Sequence, residues 1–135
     1  MLRKDAKIEL IKRVPLFERC SKRELGVIAL LADELELPEG RELTHQGSRG
    51  QEFVILVEGG ADVVRNGKVV NKLESGDFFG EISLVTGRPR TATVVTRRRS
   101  RLLVMHSPAF RALLRDSPSI QAKVLEAVVA RLPSD

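Results

Sequence analysis

One acidic and one basic residue stand out in this sequence because the residues between them can build a site for an anion. Glu81 and Arg90 lie nine residues apart in the stretch GDFFGEISLVTGRPRTATVV, residues 76–95. Gly80 allows the backbone to turn into a short helix, whose first amides lack intrahelical partners and favour an anion. The guanidinium of Arg90 is a planar fork of donors that suits a phosphate with two free oxygens. A carboxylate beside an anion needs a hydroxyl partner, and a sugar phosphate carries both groups.

The same residues have simpler structural interpretations. A Glu and an Arg at this separation are commonly a surface ion pair, worth about 0 to 1 kcal/mol, and the adjacent Phe78 and Phe79 are typical of a core. If Arg90 instead points into the fold, its charge is costly to bury without a partner. We therefore expect Arg90 to be solvated, or paired with Glu81 or Asp77, when no ligand is bound.

Composition bounds the class of protein. The chain has 135 residues, 42% hydrophobic and 30% charged, which is ordinary for one folded domain and too apolar for disorder. The net charge of +5 favours anionic partners but is too modest to indicate nucleic acid. Four arginines are expected at the solvated tip of a hairpin, with contact to a phosphate or an acidic partner as the alternative: Arg97, Arg98, Arg99 and Arg101.

Signals for compartment and membrane are few. The single cysteine, Cys20, excludes an internal disulfide and fits a reducing compartment. The first residues alternate charges with isolated apolar side chains, unlike a signal peptide. The longest apolar block, residues 27–32, is far shorter than the roughly 20 residues that cross a bilayer. We expect a cytoplasmic protein, or the cytoplasmic part of a longer one, without membrane insertion.

Helical signals open the chain and strand signals follow. The apolar spacing favours a helix over residues 2–13, which Pro15 stops, and a second helix over residues 21–31 that opens with a capping box of Ser21 and Glu24. The hydrophobic period then changes from about 3.6 to 2, and the dipeptide NG marks a hairpin. A barrel or sandwich of short strands is predicted over residues 34–37, 42–45, 53–57, 61–65, 68–73, 91–96 and 101–106.

Two helices are expected to close the chain. Ser107 and Ser117 each precede a proline. Serine is a favoured N-cap residue and proline is favoured at the first helical position, so each pair predicts the start of a helix. The last helix carries two apolar stripes, which is more than one buried face needs. It is therefore expected to pack on the strands and also to meet a ligand or a second subunit. The stripes are Ile120, Val124 and Val128, and Leu125, Val129 and Leu132.

The stretch around the acid and the base resembles the phosphate-binding cassette of the cyclic nucleotide-binding domain family. That family includes catabolite-type regulators, cyclic-nucleotide-dependent kinases and gated channels. The cassette stands here as FGEISL at residues 79–84 and PRTA at residues 89–92, and the segments PLF, QG and FVIL at residues 15–17, 46–47 and 53–56 also look like the family's pattern. The resemblance covers essentially the whole chain.

The resemblance implies one cyclic nucleotide-binding domain over residues 1–135. Its fold is mainly β with flanking helices: helices over about residues 2–31, an eight-stranded double-stranded β-helix (jelly roll) over about residues 34–106 with a short cassette helix, and C-terminal helices over about residues 107–132. The ligand is cAMP or cGMP, with cAMP the first choice, and no catalytic cofactor or metal is expected.

The resemblance also implies roles for individual residues. Glu81 accepts from the ribose 2′-hydroxyl, and Arg90 clamps the cyclic phosphate. Thr91 adds a hydroxyl and an amide, and because it can also donate to guanine it leaves cGMP open. The amides of Gly80 and Glu81 complete the anion cradle. The implied ligand-binding residues are Phe79, Gly80, Glu81, Ile82, Ser83, Arg90, Thr91 and Ala92.

Signalling in the family involves the helices at either end. Ligand draws the cassette inward, and the C-terminal helix acts as hinge and lid. The resemblance therefore implies a sensor domain that relays binding to this helix, with a homodimer or an effector domain as its partner. The last helix stops near residue 132, about where longer members carry the residues that cover the purine, so no lid residue is assigned.

Three other functions compete with a sensor. An enzyme on a β-roll needs converging histidines and a carboxylate, but His45 and His106 lie on separate predicted strands, and neither Ser83 nor Cys20 has a recognisable base. A DNA-binding regulator needs a recognition helix after the last predicted helix, and clustered arginines without aromatics are a weak nucleic-acid signal. The alternative that stays open is that this chain is the sensory part of such a regulator, or of a channel, kinase or acyltransferase. A ligand-free interaction module would not need the acid and the base of the cassette. We therefore expect no enzyme and no direct nucleic-acid contact.

Overall fold

The computed structural model describes residues 4–131 as a β-roll with helices at both ends. The mainly β fold with flanking helices is therefore confirmed, while the predicted helix ends at residues 2 and 132 lie outside the described residues. In chain order the elements are α1 (Lys4–Lys12), a 3-10 turn (Pro15–Phe17), α2 (Lys22–Leu31), β1 (Asp33–Leu37), β2 (Glu42–Thr44), β3 (Glu52–Glu58), β4 (Gly60–Arg65), β5 (Lys68–Glu74), β6 (Phe78–Phe79), α3 (Glu81–Thr86), β7 (Thr93–Thr96), β8 (Ser100–His106), α4 (Ser107–Asp116) and α5 (Pro118–Arg131).

The eight strands of residues 4–131 form two antiparallel sheets of four strands each. The strand orders are β1-β8-β3-β6 and β2-β7-β4-β5. The predicted hairpin joins β4 to β5, and Asn66 takes a positive φ of 53° in its turn. Apolar side chains from both sheets meet in one cluster, which closes the roll: Val54, Leu56, Ala61, Leu73, Phe79, Val94, Leu102 and Val104.

Strand β3 separates this cluster from a second core beneath the helices. Val54 and Leu56 face the other sheet, whereas Phe53 and Ile55 face the helices. Successive side chains of a strand point to opposite faces, so a strand between two cores is apolar at every position. The ring of Phe53 stacks on Phe110 of α4 with centroids 4.4 Å apart. The continuous apolar run in the sequence follows from this position.

The starts of the helices agree only in part with the sequence signals. The capping box of α2 is confirmed: the Glu24 amide donates to Ser21 Oγ at 3.1 Å, and the Ser21 amide donates to Glu24 Oε1 at 2.9 Å. α5 begins at Pro118 as predicted. The predicted N-cap at Ser107 is wrong, because Ser107 is the first residue of α4 and His106 precedes it as the cap. The Ser107 amide donates instead to Gln51 O, which continues the pairing of β8 with β3.

Two strands differ from the prediction around the cassette. β6, which pairs with Val54 and Ile55, has only two residues and was not predicted as a strand. β7 begins at Thr93, two residues later than expected. The backbone of Arg90 bonds the loop after β2 instead, since its amide donates to Ser48 O at 2.8 Å and its carbonyl accepts from Gly47 N at 2.9 Å.

The cluster of four arginines does not lie on a hairpin, which corrects the prediction. β7 and β8 belong to different sheets, so the residues between them cross from one sheet to the other. Each of the four arginines also has a carboxylate partner. The pairs are Arg97 with Glu74 and Asp62, Arg98 with Glu74, Arg99 with Glu36, and Arg101 with Glu34 and Glu36.

The two stripes of α5 have different surroundings. Ile120, Val124 and Val128 are buried against the roll and the N-terminal helices. Leu125 and Val129 are 49% and 75% exposed, so the outer stripe has no cover within the described part of the chain. Over the same residues, no helix has the length and apolar content needed to cross a membrane.

Val124→Ala and Val129→Ala make the same change on the two faces of α5. Val124 is fully buried, so we expect its loss to lower the free energy of unfolding by about 1.5 to 3 kcal/mol. Val129 is exposed, and its replacement should alter that free energy by no more than about 0.5 kcal/mol. Urea denaturation of both variants measures the difference. Equal losses at the two positions would contradict the buried inner stripe.

Candidate functional site

A cavity of about 270 Å³ opens between β4, β5, the cassette helix α3 and the end of α5. All eight residues predicted for the site line it, which brings the two halves of the cassette motif together. Its volume lies just below the usual range for small-molecule sites, which begins at about 300 Å³. The other lining residues are Thr44, Val63, Arg65, Val70, Asn71, Leu73, Val94, Ala130 and Arg131.

Gly80 makes the sharp turn from β6 into α3. Its φ of 99° belongs to the left-handed region that favours glycine. A Cβ at this position would lie 2.5 Å from Glu52 O and 2.8 Å from Arg90 Nη1. Glycine is therefore required for two reasons, the backbone conformation and the close approach of Arg90.

Arg90 is buried without a carboxylate partner. Its side chain is packed against Gly50, and the residue is only 6% exposed. Nη1 donates to Gly80 O at 3.1 Å and Nη2 donates to Glu52 O at 2.6 Å, while Nε has no partner among residues 4–131. Burial lowers the pKa of Arg90, and the attraction of Glu52 and Glu81 opposes that shift.

The expected pairing of Arg90 with Glu81 or Asp77 is wrong. Asp77 is engaged elsewhere, since its Oδ2 accepts from the Glu74 amide at 2.8 Å. Glu81 is taken by Arg131, which approaches from the end of α5. Backbone carbonyls therefore hold the guanidinium of Arg90, and they stabilise its charge less fully than an anion would.

Glu81 and Arg131 form an ion pair at the edge of the cavity. Arg131 Nη1 lies 2.7 Å from Glu81 Oε1 and 3.2 Å from Oε2, and it also donates to Phe78 O at 2.5 Å. The guanidinium stacks over the Phe78 ring, 4.9 Å from its centroid. Glu81 is 1% exposed; this burial raises its pKa, and Arg131 acts in the opposite direction. The pair joins the last described turn of α5 to the cassette.

Arg131 is the site residue that the sequence reasoning missed. It lies three residues after Val128, on the helical face that carries the buried stripe of α5. A basic residue at the end of an otherwise apolar inner face was the available signal. It was overlooked because charged residues near a helix C-terminus are common and already favourable for the helix dipole.

The residues considered for other chemistry do not converge. His45 lies in the loop after β2 and pairs with Glu42, while His106 is exposed at the end of β8. No three His, Cys, Asp or Glu side chains of residues 4–131 come together as a possible metal site. Cys20 is half-buried, and burial raises the pKa of its thiol to about 11, which is typical of an unreactive cysteine.

A family model and similar curated proteins point to the same family. The family model for the cyclic nucleotide-binding domain matches residues 34–117. The chain is 43% identical over 113 residues to a cAMP-dependent protein kinase regulatory subunit of Mycosarcoma maydis, an alignment that covers 75% of this chain and 21% of the relative. It is 35% identical over 106 residues to the protein of the same name from Schizosaccharomyces pombe, covering 78% of this chain and 26% of the relative.

A solved structure shares the fold. The regulatory domain of Toxoplasma gondii PKA, crystallised with cAMP, superposes with a TM-score of 0.81 at 24% identity, over 93% of this chain and 49% of that chain. At this identity the likeness concerns the fold alone.

The chain spans about a quarter or less of the length of the two curated relatives that it matches.

Glu81→Gln isolates the effect of the buried carboxyl on stability. Because burial raises the pKa of Glu81 in the folded protein, its contribution is fully present below the unfolded-state pKa of about 4.3 and is lost as pH rises through the folded-state pKa. The free energy of unfolding of the wild type, relative to Glu81→Gln, should therefore fall as pH rises from about 4.3 through the raised folded-state pKa of Glu81.

Urea denaturation of the two proteins at a series of pH values measures this difference. Glu24, whose pKa is lowered by the hydrogen bond from the Ser21 amide, affects both proteins alike and cancels. If the difference in unfolding free energy is constant with pH, or increasingly favours the wild type as pH rises, the Glu81 carboxylate is not destabilised by burial.

Proposed function

Because the chain belongs to the cyclic nucleotide-binding domain family, we propose that it is a regulatory sensor domain whose cavity binds a 3′,5′-cyclic purine nucleotide. cAMP is the first candidate, since the names of both relatives and of the structural neighbour contain it. cGMP is the second, because Thr91 lines the cavity and can donate to guanine. The protein binds and signals in this proposal, and it has no catalytic role.

The observation that carries the proposal is the uncompensated charge of Arg90. Two of its five N–H donors are engaged by carbonyls, and its remaining donors include the unpaired Nε. A buried cation without a counter-charge is costly, so the site favours an anion that reaches it. A cyclic phosphate has one negative charge and two free oxygens, which a guanidinium can bind together.

The remaining walls suit the rest of a nucleotide. An ionised carboxylate can accept about four hydrogen bonds, and Arg131 is the partner of Glu81 in the described chain, so Glu81 retains acceptor capacity for a ribose hydroxyl. Val63, Leu73 and Val94 form an apolar part of the cavity wall, against which a purine can pack. The phosphate therefore binds near Arg90, the ribose at Glu81 and the base along β4 and β5.

The relay to the output runs through α5. Arg131 joins this helix to the cassette, and Lys123 joins it to the N-terminal segment by donating to Glu18 Oε1 at 2.8 Å and to Pro15 O at 2.5 Å. A ribose hydroxyl that bonds Glu81 changes how strongly this carboxylate holds Arg131. Ligand then shifts the equilibrium between two positions of α5, because it interacts differently with the two states.

The signal passes to a partner protein that binds differently to the two positions of α5. The exposed Leu125 and Val129 offer that partner an apolar face. A kinase catalytic subunit is the first candidate because both relatives are named as regulatory subunits; another effector domain or a second copy of the chain are the others. In this proposal the domain is cytoplasmic. It does not contact nucleic acid directly and does not insert into a membrane.

Arg90→Ala tests the anion site directly. We expect this variant to bind cAMP more weakly than the wild type by a factor of tens to thousands, since truncating one partner of a desolvated charge contact costs about 2 to 5 kcal/mol. Isothermal titration calorimetry with cAMP, cGMP and linear AMP measures it. The wild type should bind a cyclic nucleotide more tightly than linear AMP.

Arg88→Ala is the matched control, because Arg88 is an exposed arginine two residues away that does not line the cavity. This variant should bind cAMP like the wild type. Wild-type affinity in Arg90→Ala would remove Arg90 from the site. A wild type that binds no cyclic nucleotide would favour a ligand-free interaction module instead.

Arg131→Ala tests the relay. In the wild type, cAMP should alter amide hydrogen exchange along α5, and this change should be reduced in Arg131→Ala because the variant cannot link α5 to Glu81. Arg115→Ala is the control, since Arg115 is exposed on α4 and pairs only with the adjacent Asp116 among residues 4–131. Exchange of α5 that is the same with and without cAMP in the wild type would rule out the relay.

A further inference from the structure

We propose that Arg65 is a second cationic contact for the phosphate of the ligand, and that it favours anionic nucleotides over uncharged nucleosides. This inference rests on the proposed function and deepens it. Arg65 is the last residue of β4 and lies outside the cassette motif. It lines the same cavity as Arg90, together with Val63, two residues earlier on the same face of the strand.

A hydrogen bond places Arg65 at the charged end of the cavity. Its Nε donates to the carbonyl of Thr91 at 3.0 Å, and Thr91 directly follows Arg90. Further back along β4, Val63 pairs with Val94 in the sheet, and the cavity wall there is apolar. A phosphate is stabilised at the charged end and a base at the apolar wall. Arg65 is therefore assigned to the phosphate.

One loop holds the backbone beside both arginines. Gln46 Nε2 donates to Asn66 Oδ1 at 2.9 Å, and the Asn66 amide donates to Gln46 Oε1 at 2.9 Å, which ties down the turn directly after Arg65. The adjacent Gly47 amide donates to the carbonyl of Arg90 at 2.9 Å. Binding groups that are already positioned lose less entropy when a ligand arrives.

The charges in the cavity wall do not balance without an anion. Among the described residues that line it, Arg65, Arg90 and Arg131 are cationic and Glu81 is the one carboxylate. Glu81 pairs with Arg131, whereas Arg65 and Arg90 form no ion pair within residues 4–131. Two positive charges therefore remain for one ligand.

The pairing within the hairpin disfavours a positive charge at this position. Arg65 lies directly opposite Lys68 in the pairing of β4 with β5. Like charges in this arrangement are destabilising. Arg65 is half-buried, bonds next to Arg90 and is unfavourable to its own hairpin. An anion that binds there explains its presence.

The assignment predicts how ligands are discriminated. A phosphate contact contributes to every cyclic nucleotide regardless of its base and contributes nothing to a nucleoside. An arginine that reads the base would instead distinguish bases, because a guanidinium pairs well with the O6 and N7 acceptors of guanine and not with the amino group of adenine. Comparing cAMP, cGMP and adenosine therefore separates the two roles.

Arg65→Gln tests the inference, with Lys68→Gln as the matched control. Both variants lose one positive charge from the same hairpin, but Lys68 is exposed and does not line the cavity. Calorimetry should give cAMP and cGMP affinities about tenfold weaker for Arg65→Gln, a loss expected for one charge-assisted contact at a solvated rim. Adenosine binding should be unchanged in Arg65→Gln, and Lys68→Gln should match the wild type with all three ligands.

Each remaining outcome decides against a defined part of the proposal. Wild-type affinity of Arg65→Gln for both cyclic nucleotides overturns the role of Arg65 while the proposed function stands. A loss confined to cAMP or to cGMP makes Arg65 a reader of the base and overturns its assignment to phosphate. A wild type that binds neither nucleotide overturns the proposed function and this inference with it.

A second variant covers the case in which Arg65→Gln does not fold. Arg65→Lys keeps the charge but loses the planar fork, including the Nε donor to Thr91. It should weaken cAMP and cGMP equally, by about threefold, and leave adenosine unchanged. Unequal effects on the two nucleotides, or none, would overturn the assignment in this variant as well.

Discussion

The burial of Arg90 against backbone carbonyls is the interaction on which the rest of the site depends. Gly50 and Gly80 leave the space that its guanidinium fills, and Glu52 on β3 supplies a carbonyl. Taking a cation out of water is costly, and carbonyl dipoles compensate for it only in part. The surrounding backbone holds the guanidinium in place, and Arg90 lines the cavity with its charge only partly compensated. In the proposed function, an anionic ligand supplies the missing counter-charge.

The carboxylate of the site is bonded to the last described turn of α5. Glu81 is already bonded to Arg131, so a ligand that uses the same carboxylate acts on a group that holds α5. Lys123 anchors the same helix to the N-terminal segment. The two anchors are eight residues apart, or about 12 Å along a helix axis. One helix is therefore attached to the cassette at its end and to the N-terminal segment near its middle.

Prediction succeeded where the signal was local and periodic. The capping box of α2 and the turn at Asn66 depend on residues within three or four positions of one another, and both were found. β6 was missed because two residues have no period. Ser107 was misjudged as a cap because its amide donates to the carbonyl of Gln51, just before β3, which is distant in sequence. The predicted hairpin of arginines failed for the same reason, since nothing local indicates that the chain crosses between sheets.

The amino-acid pattern, with the family resemblance that its motifs carry, determined the β-roll with its flanking helices and eight of the residues that line the cavity, because these depend on hydrophobic period, turn chemistry and a motif of fixed spacing. Only the tertiary structure decided which charges meet. Glu81 pairs with Arg131, fifty residues away, and Arg90 is left to the carbonyls. Ion pairing depends on distance in space and on burial, and the separation of two charges along a chain states neither.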